Sequence, residues 1–489
     1  DKNELGYQRA EGYQLLNPER IEMPELEPET RLTSFIEMVQ GYSAEEAKRE
    51  ADRCVECGIC VATCPAHMDI PGYIRAIREN DINGGLALMY ETNPFPASCG
   101  RVCTHRCEEV CAINHTGDPI AIRWLKRYIA DMAELSDYQA IAKSAEPDRP
   151  QKIAIIGAGP GGLSAAYYLR LLGYKVTVFE ALPHGGGMLR YGIPEYRLPY
   201  DQLDKDIEFV QSLGVEIKYN TRVDGQEEGA AGPAAGPHSD GGPAPSFEQL
   251  YRDYDAVFFS TGLPDPYTLG VEGEDHPRVI SGISILEDVT AGKTPDLRKS
   301  VAVVGGGNVA MDAARTARRM GCDVTILYRR REVDMPADEE EIIEAKEEGV
   351  KFVTQAIPVR VEDNPQAKGE QAAFVWGEAE MVDQGEGRRP KPVLQEDKIH
   401  TDIFDTIVPA IGQGTNLDFI PEDMAEKIGI IKYKIKVGLH GETGEPKIFA
   451  GGDIANRTKD AISAIADGHR AAKGIDRYLR ETPEQKEQE

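Results

Sequence analysis

Eight of the nine cysteines in this 489-residue chain fall between positions 54 and 111, and any fold of that region has to be organised around what they bind. The first run, Cys54-Val-Glu-Cys57-Gly-Ile-Cys60-Val-Ala-Thr-Cys64-Pro65, has the C-x2-C-x2-C-x3-C-P spacing. In that spacing three thiolates hold one iron–sulfur cube and the fourth points away to a second. Cys99, Cys103, Cys107 and Cys111 then supply the remaining ligands. Structural zinc usually takes two separated C-x2-C knuckles, and three cysteines at successive x2 spacings are crowded for a tetrahedron. A disulfide framework belongs to small secreted domains. With no charged-then-apolar leader and no 18-residue apolar run, the expectation is a cytoplasmic protein of a reducing compartment, without membrane insertion. Cys322, alone in Met320-Gly321-Cys322-Asp323, reads as a core thiol.

Residues 1–150 read as a helical domain with irregular connections. Ser43-Ala-Glu-Glu46 is a capping box that opens a helix through Ala47, Ala51 and Cys54. Pro65, Pro71, Pro94 and Pro96 interrupt the regions beside the cysteines, so the ligands are expected in loops between short helices. The length suggests about three domains. With 55 basic against 83 acidic residues, a net charge of −28, the chain lacks the basic footprint that nucleic acid or an anionic membrane surface demands.

From Lys152 the texture changes to alternating strands and helices, the signature of a parallel α/β sheet. Lys152-Ile-Ala-Ile-Ile runs into Gly157-Ala-Gly159-Pro-Gly-Gly162 with Ala166 beyond, and the next strand, Lys175-Val-Thr-Val-Phe, ends in Glu180. Gly157 would make the tight turn, Gly159 would let a pyrophosphate approach the backbone, and Gly162 would let helix and strand pack closely. Glu180 would accept hydrogen bonds from an adenosine ribose.

A second fingerprint follows in Ser300-Val-Ala-Val-Val-Gly305-Gly-Gly307-Asn308-Val309-Ala310. Its second strand, Asp323-Val-Thr-Ile-Leu-Tyr328, leads to Arg329, Arg330 and Arg331 where an acid would stand. Arginine there accommodates the 2′-phosphate of NADP(H). Strand-to-glycine segments Tyr254–Gly262 and Asp405–Gly412 flank this unit, so the chain is expected to leave one sheet and re-enter it. Lys447-Ile-Phe-Ala-Gly451-Gly452-Asp453 then ends a strand in an acid, and Asp460-Ala461-Ile462 opens a helix. A carboxylate at 453 can bond a flavin's ribityl chain, and the helix N-terminus can face its pyrimidine edge. The stretch 224–246 has no apolar periodicity and reads as a flexible surface insertion. The acidic run from Asp338 to Glu348 reads as a solvated helix face.

Nearly the whole chain resembles the small (β) subunit of bacterial NADPH-dependent glutamate synthase. It shares that plan with the N-terminal half of dihydropyrimidine dehydrogenase and the large subunit of NADH-dependent ferredoxin:NADP oxidoreductase. The likeness is carried by the cysteine-rich domain, by Gly185-Gly-Gly187-Met188-Leu-Arg-Tyr-Gly-Ile-Pro-Glu-Tyr-Arg197-Leu-Pro199, by Tyr328-Arg-Arg330 and by Gly451-Gly-Asp453. It implies two four-iron (4Fe–4S) clusters in residues 1–150, FAD on a Rossmann-like domain of residues 151–299 and 409–480, and NADP(H) on an inserted domain of residues 300–408, with 481–489 a tail. By the same resemblance Glu180, Met188 and Arg197 contact FAD and Arg329 contacts the 2′-phosphate. Cys54, Cys57, Cys60 and Cys111 hold one cube, and Cys64, Cys103 and Cys107 the other. Its eighth ligand is Cys99 or a non-cysteine side chain; the glutamine of dihydropyrimidine dehydrogenase aligns with Lys126. Gly187, Val223, Gly262, Gly412 and Gly452 complete the candidate cofactor-binding residues. The implied activity is electron transfer between NADPH, FAD and the clusters, to or from a larger redox subunit or ferredoxin, with no catalytic acid or base. A free-standing NADPH:ferredoxin reductase and a non-enzymatic iron–sulfur scaffold are the alternatives. A thioredoxin reductase would need a redox C-x2-C in the second unit, where Cys322 stands alone.

Overall fold

The computed structural model describes residues 19–133, 136, 146–223, 244–385 and 387–486. Most of the expected insertion at 224–246 lies outside them.

Short helices form the N-terminal part: α1 (Ala44–Asp52), α2 (Ile59–Thr63), α3 (Ile70–Arg78), α4 (Ile82–Tyr90), α5 (Pro96–Val102), α6 (Arg106–Glu109) and α7 (Ile122–Met132). The capping box is present: Ser43 Oγ accepts from the Glu46 amide, and the Ser43 amide donates to the Glu46 carboxylate at 2.8 Å. Asp69 and Asp81 cap α3 and α4 in the same way, each satisfying an amide that the first helical turn leaves open. Tyr73, Ile74, Leu86, Phe95, Leu125 and Ile129 fill the space between these helices. Gly100 lets α5 lie against α7 with no side chain between, since a Cβ there would sit 2.7 Å from the Arg127 Cα.

The remainder is built on two parallel sheets. The first holds β1 (Lys152–Ile156), β2 (Lys175–Phe179), β3 (Glu216–Lys218), β4 (Ala256–Phe259) and a late strand, Ile448–Ala450, which lies beyond β4, on the far side from β1. Helices α8 (Pro160–Leu171) and α9 (Tyr200–Ser212) belong to this unit. After β4 the chain crosses over. Val279 bridges Ile407 and α10 (Gly282–Thr290) packs on the second unit, so the chain joins that unit ahead of Ser300. The second sheet comprises β5 (Ser300–Val304), β6 (Asp323–Tyr328), β7 (Lys351–Thr354) and, beside β5, Thr406–Pro409. The segment at 405–412 therefore closes the second sheet, and re-entry into the first is made by the strand at 448–450.

Helices α11 (Asn308–Arg319) and α12 (Glu339–Glu347) accompany the second sheet. An antiparallel sheet of β8 (Ala356–Asp363), β9 (Ala372–Val382) and β10 (Lys391–Phe404) covers one side. The long strands are half exposed, and their polar residues hid them in the sequence. Next come β11 (Thr406–Pro409) and β12 (Ile448–Ala450), already placed, and α13 (Ala461–Lys486). The expected tail is thus largely the end of α13. Gly468 of α13 lies against the Gly161 carbonyl of α8, where any Cβ would collide. No helix among the described residues is long and apolar enough to cross a membrane.

The acidic run is not a solvated face. Arg315, fully buried, reaches Glu341 at 2.7 Å, Glu344 at 2.6 Å and Glu348 at 2.8 Å. Arg31 pairs with Glu347, Arg123 with Glu340 and Arg197 with Glu341. The carboxylates of α12 thus tie three parts of the chain together.

Candidate functional site

The cysteines fall into two sets. Cys60 neighbours Cys54, Cys57 and Cys111, and Cys54 neighbours Cys57 and Cys111. Cys103 neighbours Cys64, Cys99 and Cys107. This is the division the resemblance implies, with Cys99 added to the second set. Local structure produces it: α2 carries Cys60 and ends at Cys64, α5 carries Cys99 and ends at Cys103, and α6 carries Cys107 with Cys111 just past its end. Cys57 is exposed, whereas Cys64, Cys99 and Cys103 are buried. Burial pushes the thiols of Cys54 and Cys60 up to about 11. A metal binding there has to displace the proton from each thiol. Tyr73, almost fully buried, lies between the sets: burial raises its phenol, and Cys107, Cys64, Cys60 and Cys103 all add to the effect.

In the first sheet unit the glycines leave a cradle. Gly157, at φ +104°, presses its Cα against the Ser260 carbonyl, where a Cβ would sit 2.5 Å away. A Cβ on Gly162 would run into the Gly157 carbonyl. Gly159 differs: its backbone is extended and a Cβ there would meet only Gly187 Cα, at 3.9 Å. Space is therefore open in front of the α8 N-terminus, with Gly187 and Met188 on the facing loop. Glu180 accepts from the amides of Ala158 at 2.7 Å and Leu182 at 2.9 Å. Burial raises its carboxyl, and those two bonds oppose the rise. At the end of β4 the Thr261 hydroxyl is buried without a hydrogen-bond partner among the described residues, and nothing stands within 4 Å of a Cβ on Gly262. A buried polar atom beside open space is what a bound polar ligand would satisfy.

Gly452 places Asp453 next to α13, whose first turn Asp460 caps through the Ser463 amide at 2.8 Å. Burial pushes the Asp453 carboxyl up to about 6 against the pull of Lys434. Ala461 and Ile462 open the helix. Val223 is packed in the apolar core with Ile156 and Phe179. Arg197 goes elsewhere than the resemblance implies: its guanidinium is held by Asp312 and Glu341 of the inserted unit, which leaves a flavin contact without support from the geometry.

In the second unit a Cβ on Gly305 would strike the Ala410 carbonyl, while Gly307, ahead of α11, has only Pro336 Cγ at 3.8 Å. Asn308 is fixed by the Asp338 amide at 2.9 Å, Val309 is half-buried and Ala310 is fully buried against the sheet. Gly412, at φ +122°, turns beside the Tyr267 ring. The three arginines part company. Arg330 donates to the Pro390 carbonyl at 3.0 Å and Arg331 pairs with Asp334 at 2.8 Å. Arg329 is exposed and has no hydrogen bond or ion pair among the described residues, so it is the arginine free to take an anion.

Sequence reasoning missed two residues that tie the cysteines to the rest. Asp206 of α9, fully buried, accepts from the Ser98 amide at 2.9 Å and its hydroxyl at 2.8 Å, holding the start of α5. Arg106, beside Cys107, pairs with Asp460 at 3.1 Å. Neither leaves a local signal, because the partners lie far apart in the chain.

Residues 151–468 match the pyridine nucleotide-disulphide oxidoreductase family, and residues 31–138 match dihydropyrimidine dehydrogenase domain II, 4Fe-4S cluster. The chain is 40% identical over 460 residues to the NADP(+)-dependent formate dehydrogenase subunit beta of Moorella thermoacetica, a match covering 86% of this chain and 60% of that one. It is 32% identical over 495 residues to the glutamate synthase (NADPH) small chain of Escherichia coli (strain K12), covering 96% and 98%. Among solved structures, Mycobacterium tuberculosis FprA in complex with NADPH superposes with a TM-score of 0.54 at 19% identity, over 69% of this chain and 87% of that one. That likeness concerns the fold alone.

Proposed function

The chain belongs to the pyridine nucleotide-disulphide oxidoreductase family, and from that premise we propose that it is an electron-transfer flavoprotein subunit working between NADPH and a partner redox subunit. Its cofactors in this reading are FAD, NADP(H) and two four-iron clusters, and its setting is a cytoplasmic one, where thiols are kept reduced. The observation that carries the reading is the attachment of the buried cysteine set to the flavin unit. Asp206 holds the helix bearing Cys99, Arg106 beside Cys107 pairs with Asp460 at the head of α13, and Arg470 of α13 reaches the Pro65 carbonyl next to Cys64 at 3.5 Å.

Bound FAD supplies two-electron exchange with a nicotinamide and one-electron exchange with the clusters. The chain's own residues hold and select. Gly157, Gly159 and Gly162 clear the pyrophosphate path, and Glu180 takes the ribose. Asp453 would bond the ribityl chain and the α13 N-terminus would offer its dipole to the flavin. Arg329 selects the 2′-phosphate. Cys54, Cys57, Cys60 and Cys111 form one ligand set, and Cys64, Cys103 and Cys107 with Cys99 the other. The exposed Cys57 puts the first set at the surface, where a partner subunit can approach.

The chain spans 60% of the length of the formate dehydrogenase subunit, so the partner and final electron acceptor follow from this reading by class only. Anaerobic titration with NADPH tests it. The expected result is bleaching of both flavin and cluster absorbance in protein holding about eight irons. Colourless protein with stoichiometric zinc would overturn it.

A further inference from the structure

The buried cations around the second cysteine set are paired, with one exception. Arg123 reaches Glu340 at 2.5 Å, Arg127 reaches Asp131 and Glu37 at 3.0 Å, and Arg101 reaches Glu37 at 2.8 Å. Lys126, on the same helix α7 and only 4% exposed, has no carboxylate partner and no hydrogen bond among the described residues. A buried ammonium without compensation is costly, so a negative charge is expected beside it.

The backbone brings the second cysteine set to this side chain. The contact of Gly100 with Arg127 fixes α5 against α7. Cys99 and Cys103 flank Gly100 on α5, and Lys126 precedes Arg127 on α7. Arg123, one turn earlier, reaches the Cys103 carbonyl at 3.5 Å. The side chains near Lys126 include Cys103, Cys99, Cys107 and Cys64. That group is the whole second set. The cations beside the first set, Arg75 and Arg78, are instead paired to Glu56.

We propose that Lys126 is the fixed counter-charge of the second cluster, raising that cluster's reduction potential without acting as a ligand. The proposal rests on the reading that Cys64, Cys103 and Cys107, with Cys99, hold a four-iron cube. A cube bound by thiolates is anionic and gains a further negative charge with each electron, so an adjacent unpaired ammonium stabilises the reduced form more than the oxidised one. The cluster next to the flavin unit is thereby easier to reduce than it would be without the ammonium.

The test uses the full chain purified anaerobically as wild type, Lys126→Met and Lys126→Arg, with iron analysis and a potentiometric titration followed by electron paramagnetic resonance. All three are expected to hold about eight irons. In Lys126→Met the reduced-to-oxidised ratio of one cluster at a fixed potential should fall about tenfold, a shift of about 59 mV. The other cluster should not move, and Lys126→Arg should keep the wild-type value. Full iron with both potentials unmoved in Lys126→Met would overturn the proposal. If Lys126→Met loses half its iron, Lys126→Arg decides. Full iron at the wild-type potential supports the charge, and the same loss overturns it in favour of Lys126 as a ligand or a packing element. Wild-type protein without iron would overturn the cluster reading itself.

Discussion

Arg197 and Asp312 meet between the flavin unit and the inserted unit, with both Asp312 carboxylate oxygens 2.8 Å from Arg197 Nη1. Asp312 is 2% exposed, so its carboxylate relies on the arginine for compensation. Arg197→Leu strands a buried carboxylate and is expected to destabilise the protein by about 3–5 kcal/mol. Arg197→Leu with Asp312→Leu, which removes both charges, should recover much of that loss. Urea denaturation of the single and double variants checks this, and a double variant no better than the single would show that the pair is not the relevant interaction.

Acid sensitivity has an identifiable source in His469. It stacks on Tyr168 at 3.8 Å, and burial, with Lys473 and Arg470 nearby, pushes its imidazole down to about 4. The unfolded chain takes up the proton near pH 6.5, so the stability from the neutral ring is present above that pH. It is lost as pH falls from 6.5 to about 4. His469→Phe should flatten the thermal melting temperature across that window relative to wild type. Asp206 works in the opposite direction. Burial pushes its carboxyl up to about 7 despite the bonds from Ser98, so its contribution is full in acid and is lost as pH rises from 3.8 to about 7. Asp206→Asn should remove that slope.

Coenzyme choice should follow Arg329. Each charge-assisted bond to a 2′-phosphate contributes about 1.5–3 kcal/mol. Arg329→Ala should therefore weaken NADPH by roughly ten- to a hundredfold and leave NADH nearly unchanged. Steady-state reduction of an artificial dye with each coenzyme measures this, and equal losses with both would make Arg329 structural.

Gly159 allows a clean removal of the flavin. Its backbone is extended and its Cβ position open, so Gly159→Val should fold normally while filling the cradle. The expected product is depleted in FAD and retains its iron. Full FAD occupancy would mean that the pyrophosphate does not pass there.

Much of this architecture was legible in the chain because its signals are local. The Ser43 capping box, the strand-glycine-helix runs at 152–166 and 300–310, and the cysteine spacings each lie within a few turns of backbone. What escaped was set by partners remote in sequence. The carboxylates from Glu340 to Glu348 look solvated until Arg315, Arg123, Arg197 and Arg31 are brought to them. Arg197 matched a flavin-contact pattern, but the inserted unit supplies Asp312 and takes the side chain. Of three adjacent arginines only Arg329 is uncommitted among the described residues, and that depended on where Pro390 and Asp334 fell. Strands β8 to β10 lacked a clean alternation because much of their surface faces solvent.

The position of β12 beside β4 imposes an order of events during synthesis. Everything needed to close the second sheet has been synthesised once β11 is made, whereas β12 and α13 are still to come. Until they arrive, β4 is an edge strand built from Ala256, Val257, Phe258 and Phe259, an apolar border open to pairing with other chains. The inserted unit can therefore mature first, and the nascent chain must be shielded through the interval before its own C-terminal segment seals that border.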